Sequence, residues 1–115
     1  MLKQDHLFIN GSMAAASGEQ ALPVTDSFTE EVFASYRSAS QDDVHSAVAA
    51  ARAAWPGWSA TPLAERVAAV RRVAAALAEQ AEALTTAISR EVGMPRKLAA
   101  RIQVGAPIAA WNHYA

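Results

Sequence analysis

The side chains that carry most enzyme chemistry are few and scattered in this sequence. It contains no cysteine, so its 115 residues supply no thiolate nucleophile, no thiolate metal site and no disulfide framework. The three histidines, His6, His45 and His113, lie far apart, with no His-x-x-x-His spacing and no adjacent acid pair of metal-site form. They read as ordinary surface or helix-end histidines. Serine, histidine and aspartate occur without a nucleophile-elbow pattern, and no Gly-x-Gly-x-x-Gly or Walker-type loop is present to cradle a nucleotide phosphate. Two features remain. Trp55 and Trp58 flank Pro56-Gly57 in "WPGWSATPLAER"; they suit a ligand cage or, more ordinarily, a packed corner between two helices. Glu91 stands just before Val92-Gly93, at the negative end of an expected helix. It reads as a ligand or as a plain helix-end acid set against the local dipole.

Composition narrows the class. Apolar residues make up 52% and charged residues 18%, which excludes a disordered tail. The net charge is -1 and the 10 lysines and arginines form no stripe, so no nucleic-acid partner is expected. The apolar stretches are broken by charge well short of the ~20 residues of a membrane span. The start, "MLKQDHLFING", lacks a secretory apolar region, and a cytoplasmic location is the default expectation. A chain of this length suffices for one domain that buries roughly two thirds of its unfolded surface.

The elements that must position any site divide near residue 38. Residues 1–38 read as strands and turns. Leu7-Phe8-Ile9 is a short apolar run closed by Asn10-Gly11, a turn pair. A second strand is expected over Ala21 to Thr25, a turn over Asp26 to Glu31, and a third strand over Val32 to Arg37. Residues 39–115 read as helical. Ser40-Gln-Asp-Asp43 resembles a capping box, and Val44, Ala47, Val48, Ala51 and Trp55 then share a helix face. Pro56 is expected to stop this helix.

Thr61 is expected to cap the next helix, with Pro62 at its first position. Leu63, Val67, Val70, Ala74, Leu77, Ala81, Leu84 and Ile88 follow in alternating steps of four and three, a narrow apolar seam with room for a break near Glu79-Gln80. Because alanine and valine bury little area, the seam suits close packing against a larger body. Gly93 and Pro95 punctuate its end. The last helix runs from Arg96 to Tyr114, with a kink or a break expected near Gly105-Ala-Pro107.

In order and spacing, "LFING", "TEEVFASYRSASQDDVHSAVAAARAAW", "WSATPLAER", "ISREVGMP" and the closing "YA" resemble the amino-terminal region of the NAD(P)-dependent aldehyde dehydrogenase family, from Leu7 to Ala115. The resemblance implies an α/β segment: a small amino-terminal β-hairpin or sheet followed by three or four helices, part of a larger Rossmann-type enzyme. It departs from the family at the turn after the second strand, where Asp26-Ser-Phe-Thr-Glu-Glu31 replaces Asn-Pro-x-Thr-Gly-Glu. The tryptophan common after "ING" is replaced near Met13, and Gly-Lys-Pro becomes Gly93-Met94-Pro95.

The family resemblance also implies a function. Members oxidise an aldehyde to a carboxylic acid with NAD or NADP, through a cysteine thiolate that attacks the aldehyde. Their catalytic cysteine, glutamate and asparagine and their nucleotide loop correspond to positions beyond Ala115. The chain is therefore expected to hold no catalytic or cofactor-binding residue, to bind no cofactor and to be inactive by itself, the aldehyde substrate and homo-oligomer belonging to the full-length enzyme. The resemblance matches a monovalent-cation site onto the Glu91 carboxylate and the main-chain carbonyls of Val24 and Thr25, and places Ala106 and its neighbours along the substrate tunnel. The alternative is a small helical interaction module or a non-functional truncated remnant.

Overall fold

The computed structural model describes residues 2–115. The chain forms two compact units. One takes the residues up to Thr25 together with Glu31–Ala60; the other takes Asp26–Glu30 with Thr61–Ala115.

The first unit carries five strands, β1 (Leu2–Gln4), β2 (His6–Ile9), β3 (Ser12–Ala15), β4 (Ala21–Thr25) and β5 (Val32–Arg37). β5 is central in a sheet of order β1-β5-β4, parallel to β1 and antiparallel to β4. Ala34 of β5 is buried there. A bulge interrupts the β4–β5 ladder between Val24 and Thr25. β2 and β3 form a separate hairpin, with Phe8 opposite Met13 and Ile9 opposite Ser12. Its two-residue turn is Asn10-Gly11 at φ 53° and 76°, the left-handed pair that matches strand twist. Of these strands β2, β4 and β5 follow the sequence reading. β1 and β3 exceed it, because Leu-Lys-Gln and Ser-Met-Ala-Ala carry no alternation and owe their extended form to their partners.

Helix α1 (Gln41–Ala60) starts on a reciprocal cap. The Asp43 amide donates to Ser40 Oγ at 3.1 Å, and the Ser40 amide donates to Asp43 Oδ2 at 2.9 Å. The Ser17 amide reaches the same carboxylate oxygen at 2.9 Å. Pro56 does not stop the helix. Proline removes one main-chain donor near the end of an alanine-rich run, and Ser59 Oγ donates to the Pro56 carbonyl at 3.0 Å where the helix continues. Trp55 and Trp58 therefore both stand on α1, exposed, and do not flank a turn.

In the second unit, α2 (Leu63–Glu79) begins one residue later than expected, with Pro62 as its N-cap at ψ 144°. Gln80, at φ −96° and ψ 6°, separates it from α3 (Ala81–Val92), which ends on left-handed Gly93 at φ 67°. Then α4 (Arg96–Leu98), a π-helical segment (Ala99–Gly105) and α5 (Ala106–Tyr114) follow without a gap. In place of a break at Gly105-Ala-Pro107, the irregularity lies just before it in the π segment, and Pro107 sits in the first turn of α5. The Ala106 amide donates to the Arg101 carbonyl, five residues back. Ala99 and Val104, also five apart, are the buried pair of that segment. α5 packs on α2, and the π segment packs on α3.

Among the described residues the buried apolar set is Ala16, Ala34, Ala74, Ala99 and Val104, so nothing larger than valine is buried. The seam on α2 and α3 is mostly half-buried, and its first member, Leu63, is exposed.

Candidate functional site

A connected polar cluster joins Asp26–Glu30 to the carboxyl end of α3, inside the second unit. Asp26 follows a strand and opens the turn. Its Oδ1 accepts from the Phe28 and Thr29 amides at 3.0 and 3.3 Å, a local bonding pattern that aspartate favours. Its Oδ2 accepts from Arg90 Nε at 2.6 Å. The Arg90 hydrogen bond, then the Phe28 amide, holds the Asp26 carboxyl below its ordinary value of 3.8, while desolvation opposes them. Both oxygens are committed and the residue is buried, so Asp26 is a fixed anion that positions a turn; it is poorly placed as a proton acceptor.

Ser27 completes the junction by answering carbonyls that a helix end leaves without partners. Its amide donates to the Arg90 carbonyl at 2.8 Å and its hydroxyl to the Glu91 carbonyl at 2.5 Å. The turn closes with the Glu30 amide on the Asp26 carbonyl at 2.8 Å, and Glu30 sits at φ 61°. This left-handed geometry is one that glycine adopts freely and a glutamate side chain disfavours. Beside it, Ser89 Oγ donates to the Met94 carbonyl at 2.7 Å, and Arg96 pairs with Glu82 while donating to Thr86 Oγ1 at 2.8 Å.

The residues singled out from sequence fall on different elements. Glu91 is exposed on the last turn of α3 in the second unit. Val24 and Thr25 close β4 in the first, at the bulge. Ala106 opens α5, exposed. His6 is on β2, His45 on α1 and His113 on α5, where its ring meets Tyr114 edge-on at 5.1 Å. Among the described residues no group of three or more histidines and acids could hold a metal ion. The Asp26–Arg90 pair was missed from sequence, since its partners lie 64 residues apart and neither has a local motif.

A model of the aldehyde dehydrogenase family matches residues 13–115. The chain belongs to the aldehyde dehydrogenase family. It is 46% identical over 89 residues to N-succinylglutamate 5-semialdehyde dehydrogenases of Burkholderia orbicola (strain MC0-3) and Paraburkholderia xenovorans (strain LB400), covering 77% of this chain and 18% of each relative. The lactaldehyde dehydrogenase of Escherichia coli superposes with a TM-score of 0.91 at 26% identity, over 98% of this chain and 24% of that one. Aldehyde dehydrogenase C of Pseudomonas syringae, solved with NAD+ and octanal, gives 0.87 at 36% identity, over 94% and 22%. The chain thus spans about a fifth to a quarter of the aldehyde dehydrogenases it matches, as an amino-terminal segment. No helix among the described residues is long and apolar enough to cross a membrane.

Proposed function

We propose that these 115 residues are the amino-terminal scaffold of an NAD(P)-dependent aldehyde dehydrogenase, which as a whole oxidises an aldehyde to the carboxylic acid. The observation that carries this reading is the family match over residues 13–115 in a chain that holds no cysteine. The thiolate that takes up the aldehyde must then come from outside these residues. The names of the relatives favour a semialdehyde substrate.

The residues present do not fit the dinucleotide. They include no glycine-rich phosphate loop, and the amino end of α1 is filled by the Asp43 carboxylate. No step of the reaction is therefore assigned to this chain. Its share is structural, and in the complete, homo-oligomeric enzyme it extends to a monovalent cation. Glu91 would offer a carboxylate, and Val24 and Thr25 would offer carbonyls; one negative charge with neutral oxygens suits such an ion. The bulge at Val24/Thr25, which disturbs the ladder there, supports that use of their main chain.

The test is the intact mass of the native product together with an assay of the purified chain for aldehyde-dependent reduction of NAD+ and NADP+. A product several times heavier than 12.1 kDa that turns over, beside an inert 115-residue chain, is the expected result. Turnover by the pure 115-residue chain overturns it.

A further inference from the structure

We draw no further inference here: the strongest candidate, the apolar hollow along α2 and α5 lined by Val70, Pro107, Ala110, Trp111 and Tyr114, carries none because nothing in the structure shows what covers it.

Discussion

Asp26 and Arg90, 64 residues apart in the chain, meet with Oδ2 and Nε 2.6 Å from each other, and the turn that Asp26 opens thereby seats on the carboxyl end of α3. The same carboxylate holds the turn in shape through the Phe28 and Thr29 amides. One side chain thus sets both the local conformation of residues 26–30 and their place in the second unit.

The acid response of the chain follows from this pair. Asp26 and Asp43 both have folded-state values below the ordinary 3.8, the first through Arg90 and two amides, the second through the Ser40 and Ser17 amides. A lowered carboxyl contributes stability that is complete above its unfolded value and is lost as pH falls through the folded one. The urea midpoint should therefore hold steady from neutral pH to about 5 and drop below 3.8, and Asp26→Asn should flatten that drop. A midpoint that rises on acidification, or an unaltered drop in the variant, removes the pair from the explanation.

Glu30 and Gly93 test the two left-handed positions of this junction in opposite directions. Glu30 holds φ 61° with a side chain that disfavours it, so Glu30→Gly should raise stability by about 0.5–1 kcal/mol. Gly93 holds φ 67°, and a Cβ there would stand 3.2 Å from Ser27 Cβ, so Gly93→Ala should lower stability by about 1–2 kcal/mol. Urea titration by circular dichroism reads both.

The π segment makes an unusual deletion tolerable. It buries Ala99 and Val104, five residues apart, whereas a regular α-helix would bring the residue four along, Gln103, nearer that face. Removing Gln103 should let the segment close to α-helical spacing with Val104 still inward, at a cost within about 1 kcal/mol. Removing Val73 from α2 has no such slack: it turns Ala74, 1% exposed, off its packed face and should abolish cooperative unfolding.

The cap of α1 gives a simpler test. Ser40→Ala removes the oxygen that accepts from the Asp43 amide and should cost about 1 kcal/mol. Ser40→Asp keeps an acceptor and should recover part of the loss, again read from the urea midpoint.

Where the sequence carried its own punctuation, the fold was legible. Asn10-Gly11 closes a hairpin, Ser40 and Asp43 cap each other, Gln80 divides two helices, and Gly93 ends one. These outcomes depend on backbone preferences of a few adjacent residues. Pro56 misled because proline's cost is one lost donor and a steric bias, which a run of alanines can outweigh. β1 was illegible because its pairing with β5 is made across some thirty residues. The junction at residue 26 was hidden for the same reason: aspartate and arginine are common, and only the folded chain selects that pair. The proposal of Glu91, Val24 and Thr25 as cation ligands rests on family likeness alone, since exposed acids and strand carbonyls have no sequence signature of their own.

The buried alanines impose an inverted tolerance on the chain. Ala74 and Ala99, exposed by 1% and 0%, act as gauges that set how closely neighbouring backbones approach. Removing atoms from the large apolar side chains that face outward, such as Phe28 or Trp55, disturbs the segment's own packing little, whereas a single added methyl at either alanine must push a helix away from its neighbour. In this segment the positions least able to accept change are those with the smallest side chains.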